Sequence, residues 1–268
     1  MFRKLLFLLS LCVVWQACLA DEVVDVSRDA RFDYQVAKAS LHAPGAFPYT
    51  GVYLAAPVDP DKEVVLFIHG IDASPRDWAE VAARLDGSRQ QAWFAYYPSG
   101  DAVASSGARI AAAVLQLMRE HGLTRVQVVA HSLGGLVAWH VVQQLKTQVH
   151  IEQFVTVATP WNGHWGARFG VLFSRNPADS WRDLVPDGPA LKAIWADSLG
   201  VPYTLVFTVR DDSGRATSDG VIALSSQLEV DMEKQASRLV KVVATHTGVL
   251  QGTNAGTLAA LLVPPRPL

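Results

Sequence analysis

The sequence predicts an α/β protein, a mostly parallel central sheet with helices on both faces. Two observations carry this. From residue 63 onward, apolar runs alternate with amphipathic stretches, the strand–helix rhythm that builds parallel sheets. The runs themselves, such as Val64-Val65-Leu66-Phe67-Ile68, are apolar without alternation, as strands covered on both faces are. The chain has 268 residues, half of them hydrophobic and 18% charged, enough for one substantial core. No Gly/Ser- or Pro-rich linker, long charge run or internal repeat interrupts it, so a single domain is expected over 21–268.

Residues 1–20 read as a targeting segment. Arg3 and Lys4 form a short basic region, Leu5 to Val14 an apolar one, and Ala17-Cys18-Leu19-Ala20 offers small residues for cleavage before Asp21. The apolar stretch is too short for a comfortable membrane span. Export from a bacterial cell is expected; lipid attachment at Cys18 is the alternative, disfavoured by Trp15 and Gln16 just upstream. Both cysteines, Cys12 and Cys18, fall in this segment, so the mature chain would have no disulfide, thiol nucleophile or thiolate metal site. Losing Arg3 and Lys4 takes the net charge from −2 to −4. With no basic cluster beyond the N-terminus, nucleic acid is not an expected partner; the oligomeric state is left open.

The elements follow in order. Val64–Ile68 is a central strand. A helix begins at Pro75, with Ser74 at the N-cap and Asp77 near N3. Gln91–Tyr97 is a strand stopped by Pro98, and Ala102–His121 a helix ended by Gly122. Arg125–Ala130 is a third strand and Leu133–Leu145 a third helix. Ile151–Ala158, Tyr203–Val209 and Leu239–Ala244 are further strands, and a helix starting near Gly248 closes the domain. Gln35–Ala39 and Gly51–Ala55 are expected as antiparallel strands at one edge. Residues 161–200 break the rhythm with aromatics set among Gly, Pro, Asn and Asp, which suggests a cap or lid.

The strongest chemical signal is Val128-Val129-Ala130-His131-Ser132-Leu133-Gly134-Gly135. A strand runs straight into a helix with a serine at the junction, and small neighbours let strand and helix approach. This is the nucleophile-elbow pattern, with Ala130 in place of the first glycine. Here the chain resembles the α/β-hydrolase superfamily, and within it the lipases that carry His-Ser-Leu-Gly-Gly.

A serine hydroxyl needs a base, and the base an orienting acid. The superfamily's chain order is Ser, acid, His. His246 is the only histidine after residue 164 and follows the Leu239–Ala244 strand directly, which makes it the base implied for Ser132. The acid is Asp219, Asp211 or Asp212, all after the Tyr203–Val209 strand. Asp219-Gly220-Val221 resembles the Asp-Gly-x-Val segment of secreted lipases and favours Asp219. His131 is expected to pack in the elbow and His69 to support its own loop.

The resemblance also implies an oxyanion hole made by the N–H groups of Leu133 and of Ile71, in the loop Ile68-His69-Gly70-Ile71-Asp72. Ala158-Thr159-Pro160-Trp161-Asn162-Gly163 and Asp183-Leu184-Val185-Pro186 are similar to segments of lipases related to the GPI inositol deacylases and triacylglycerol lipases. The chain departs from that pattern at Ala130 and at Gly188-Pro189. No acidic residue follows His246, so the structural calcium of some secreted lipases is not expected, nor any other metal or cofactor.

Trp161, Trp165 and Phe169 are candidate substrate-binding residues on an apolar wall. The expected activity is hydrolysis of carboxylic esters with an apolar acyl group, on a small-molecule or lipid substrate with transient contact to a lipid surface. A thioesterase or amidase would use the same residues, and a hydrolase-like binding module without activity is the third reading.

Overall fold

A computed structural model of the chain describes residues 19–262. The targeting segment therefore lies outside the described residues, save Leu19 and Ala20. Along the chain run β1 (Leu19–Val23), α1 (Tyr34–His42), β2 (Gly51–Leu54), β3 (Glu63–Ile68), α2 (Ala79–Ala82), β4 (Gln90–Tyr96), α3 (Val103–Glu120), β5 (Arg125–His131) and α4 (Leu133–Leu145). Then come β6 (His150–Val157), α5 (Trp165–Phe173), α6 (Asp179–Asp183), α7 (Pro189–Ala196), β7 (Tyr203–Val209), α8 (Leu224–Gln227), α9 (Val230–Gln235), β8 (Arg238–Val243) and α10 (Gly252–Leu261).

The strands form one sheet in the order β1-β2-β4-β3-β5-β6-β7-β8. From β4 to β8 all neighbours are parallel. β2 pairs antiparallel with β4, and β1 lies parallel to β2. β1 is tied in by Glu22, whose carboxylate accepts two hydrogen bonds from Arg31 at 2.7 and 2.8 Å.

The unbroken apolar runs behave as their composition demands. Val64, Leu66 and Ile68 point to one face, against Val114, Leu117, Leu136 and Val141 of α3 and α4. Val65 and Phe67 point to the other, with Trp78, Val249, Leu258 and Ala259. The inner β3, β4 and β5 are buried almost throughout, whereas β8 at the edge is largely exposed. At the far end of the sheet from the β5–α4 junction, the side-chain amides of Gln90 and Gln127 both donate to the Leu262 carbonyl, at 2.6 and 3.0 Å.

The strands and long helices from β3 to β8 fall within one residue of the boundaries read from sequence. Ser74 caps its turn as expected: its hydroxyl accepts from the Arg76 N–H, and Asp77 accepts from the Ser74 N–H at 2.9 Å. That segment is a 3₁₀ turn at 75–78 followed by the short α2. One expectation is corrected. Gln35–Ala39 is no edge strand but part of helix α1, whose buried Ala37, Ser40 and Leu41 recur at helical spacing. Small residues on its buried face gave little apolar contrast from which to read that period.

Between β6 and β7, residues 161–200 fold into α5, α6 and α7 above the sheet. α6 is fixed to the body by two bonds: the Val103 N–H donates to Asp183 Oδ2 at 2.8 Å, and the Ser180 N–H to the Gly100 carbonyl at 3.3 Å.

Candidate active site

Ser132 stands between β5 and α4 with φ 55° and ψ −132°. This left-handed conformation is strained for a residue with a side chain. It turns the chain abruptly from strand to helix, and the surroundings tolerate it only because the neighbours are small. A Cβ at Gly134 would lie 2.3 Å from the His69 carbonyl oxygen, and one at Gly135 2.0 Å from Thr159 Oγ1. Opposite, a Cβ at Gly70 would meet Ser132 Cβ at 3.0 Å. Thr159, in the Thr-Pro segment after β6, thus packs directly beneath the start of α4.

His246 follows β8 and turns back to this point. Its Nε2 lies 2.9 Å from Ser132 Oγ, and its Nδ1 2.7 Å from Asp219 Oδ2. Asp219 is fully held. Its Oδ1 accepts from the Val221 and Ile222 N–H groups at 2.9 and 2.8 Å, and its Oδ2 also accepts from the Thr208 hydroxyl at 2.7 Å. Burial raises the carboxyl's pKa, but the hydrogen bond and charge of His246, with the two N–H donors, outweigh it and bring the pKa down to about 2. Asp219 is therefore an anion fixed against the Nδ1–H edge of the imidazole. Asp211 and Asp212 are exposed instead; Asp211 accepts from Ser213 and Asp212 pairs with Lys241.

Two more histidines frame the site without reaching Ser132 Oγ. His131 Nε2 donates to the His246 carbonyl at 2.9 Å, fixing that loop. Burial, with the neighbouring His246 charge, lowers its pKa to about 3, so it is neutral. His69 is stacked on Tyr97, donates from Nδ1 to the Gly70 carbonyl at 2.8 Å, and is lowered by burial to about 4. The Tyr97 hydroxyl in turn donates to the His69 carbonyl at 2.7 Å. These bonds hold the loop that carries Ile71. Leu133 is the first residue of α4, so its N–H has no acceptor within the helix.

Ser132 opens on a cavity of about 300 Å³. The body supplies Ile71, Leu133, Pro160, Val221 and Ile222; the cap supplies His164, Gly166, Ala167, Trp181 and Leu184. No Lys, Arg, Asp or Glu is among them. His164, which precedes every candidate acid and is not the base, caps α5: its Nδ1 accepts from the Gly166 N–H at 3.1 Å and its Nε2 donates to the Val221 carbonyl at 3.1 Å. Both ring nitrogens are occupied, so the cavity sees an aromatic wall. Histidine is an uncommon N-cap, so the sequence does not mark this residue as part of the cavity wall; its place just before Trp165-Gly166 is the available signal.

The three aromatic candidates lie elsewhere. Trp161 is fully buried, packed edge-on to Tyr203, and its carbonyl accepts from Trp195 Nε1 at 2.9 Å. It supports the cap rather than lining the cavity. Trp165 and Phe169 are 64% and 62% exposed on the outer face of α5. With Leu172 and Phe173, at 73% and 77%, they form an exposed apolar stripe. Arg168 lies 4.6 Å from the Trp165 ring centroid. Among the described residues no cluster of three or more His, Cys, Asp or Glu could hold a metal, and no helix is long and apolar enough to cross a membrane.

A parallel sheet with an antiparallel edge, a serine on a strained strand-to-helix turn, and a histidine loop after the last strand together define the α/β-hydrolase fold. Solved structures agree. The mature lipase BlEst2 of Bacillus licheniformis superposes with a TM-score of 0.60 at 18% identity, over 79% of this chain and 97% of that one. The product of gene lin2722 from Listeria innocua gives 0.56 at 15% identity, over 74% and 92%. Aspergillus fumigatus lipase B gives 0.58 at 15%, over 78% of this chain and 54% of that longer one. In sequence, residues 59–175 match the family described as "Putative serine esterase (DUF676)". That segment contains Ile71, Ser132 and Leu133 but ends before Asp219 and His246. No curated protein matches the chain in sequence. The chain has the α/β-hydrolase fold, and family match and fold together support a serine-esterase- or lipase-like hydrolase.

Proposed function

We propose that the chain is a serine carboxylic-ester hydrolase acting through an acyl-enzyme on Ser132. Ser132 Oγ attacks the ester carbonyl as its proton passes to His246 Nε2. The Ile71 and Leu133 N–H groups receive the oxyanion. The tetrahedral adduct expels the alcohol, which takes the proton from His246, and water activated by the same imidazole then releases the acid. Asp219 fixes the imidazole tautomer and stabilises its charged form. The observation that carries this reading is the unbroken chain Ser132–His246–Asp219, at 2.9 and 2.7 Å, opening on a cavity without charged side chains. Such a wall favours an apolar acyl group.

The apolar stripe on α5, beside the cavity residues Gly166 and Ala167, supports transient contact with a lipid surface. Export belongs to the same proposal and rests on residues 1–20; Asp21 as the first residue of the mature chain, read by N-terminal sequencing, is the expected result.

Hydrolysis of p-nitrophenyl esters from acetyl to palmitoyl tests the activity. Ser132→Ala is expected to lower kcat by roughly 10⁴–10⁶ and to abolish labelling by a fluorophosphonate. A wild-type chain that neither labels nor hydrolyses any of these esters would return the inert binding module.

A further inference from the structure

We propose that Trp181, seated on Gly170, sets the longest acyl chain that the Ser132 cavity accepts and confines it to short and medium acyl groups. This rests on the ester-hydrolase reading of Ser132 and names its substrate class.

The cavity volume of about 300 Å³ is at the small end for ligand sites. A hexadecanoyl chain is a large occupant for a cavity of that size. Trp181 is the largest side chain on the wall, so its ring occupies the space a longer chain would need.

The ring is held by what lies behind it. A Cβ at Gly170 would sit 2.1 Å from Trp181 Cε3 and 2.2 Å from Cζ3. The indole therefore rests directly on the backbone of α5, and any side chain at 170 would displace one or the other. Glycine in a helix interior costs roughly 1 kcal/mol against alanine; the seated indole gives this one a structural use. Trp181 itself comes from α6, which Asp183 and Ser180 bind to the body. The wall therefore does not depend on α5 alone for its position.

The ratio of kcat/KM for p-nitrophenyl palmitate to that for the butyrate reads this directly. The wild-type ratio is expected to be low, with an optimum at about eight carbons or fewer. Trp181→Ala should raise the ratio by about tenfold or more, since single methylenes in an apolar pocket already discriminate by roughly that factor. Trp181→Phe, which keeps a ring over Gly170 and guards against a cap that fails to fold, should fall between. Gly170→Ala should change the ratio in the wild-type background but not beside Trp181→Ala, where nothing remains for the new methyl to displace. Active Trp181 variants with the wild-type ratio would overturn the proposal, as would a Gly170→Ala effect that persists without the indole. Absence of hydrolysis and of fluorophosphonate labelling in the wild type would instead remove the reading beneath it.

Discussion

Residues 128–135 and residues 165–173 border the same cavity under opposite constraints. At the elbow, every residue from Val128 to Gly135 is buried, and backbone atoms of neighbouring loops lie so close that side chains at 134 and 135 are excluded. On α5, four large apolar side chains face outward at 62–77% exposure, and among its residues only Ala167 is buried. The elbow is specified by what cannot be placed there. The outer face of α5 packs largely on itself, Arg168 over Trp165 and Phe169 on Phe173. The comparison separates residues whose identity follows from packing from residues whose identity packing leaves open.

The sharpest way to break it is at the charged end of the Ser132 hydrogen-bond chain. Asp219→Asn is expected to lower kcat by about 10⁴ with little change in KM, because an amide no longer selects the Nδ1–H tautomer of His246. Asp211→Asn and Asp212→Asn, at exposed positions, should leave ester hydrolysis at the wild-type rate. If Asp211→Asn equalled Asp219→Asn, the acid would have been misplaced.

Among the aromatics, Trp161→Ala is expected to cost about 3–5 kcal/mol in denaturant unfolding, since its ring is fully buried against Tyr203. A separate effect is expected with acid. His69 and His131 are buried and neutral, with pKa values pushed down to about 4 and about 3, whereas in an unfolded chain each returns to about 6.5. Below that pH the unfolded chain binds more protons, so stability is complete above about pH 6.5 and is lost as pH falls through the folded values. Thermal unfolding between pH 7 and 4 should show this decline, and His131→Gln should make it shallower. Smallest of all, Trp165→Ser and Phe169→Ser should shift unfolding free energy by no more than about 0.5 kcal/mol. Their effect should be seen in weaker co-sedimentation with phosphatidylcholine–phosphatidylglycerol vesicles. A large destabilisation there would make the outer face of α5 part of the core after all.

The same contrast explains what could be read in the sequence. Ser132, Gly134 and Gly135 were legible because a left-handed junction with two excluded side chains leaves few residue choices. His246 was legible from chain order, and Asp219 from the Asp-Gly turn whose N–H groups now hold its Oδ1. The cap was legible only as composition. Trp161, Trp165 and Phe169 look alike in a list of aromatics, yet one is core and two are surface, because tertiary packing decides which face of a short helix turns inward. Trp181 carries no distinguishing neighbour in the sequence. Its partner Gly170 did: a glycine inside a helix signals a close approach. Gln35–Ala39 failed for the converse reason, as alanines mark neither a strand face nor a helix face strongly.

The bond from Gln90 and Gln127 to the Leu262 carbonyl has a kinetic consequence. It joins positions 172 and 135 residues apart, and His246 reaches Ser132 across 114. Pairings of this separation form slowly, since the loop-closure entropy is lost before the contacts are gained. Until α10 is in place, β3, β4 and β5 lack both the apolar cover it gives one face and that carbonyl. Closure of that face of the sheet therefore depends on a segment far along the chain, and a chain cut before α10 leaves Val65 and Phe67 without the Leu258 and Ala259 that cover them.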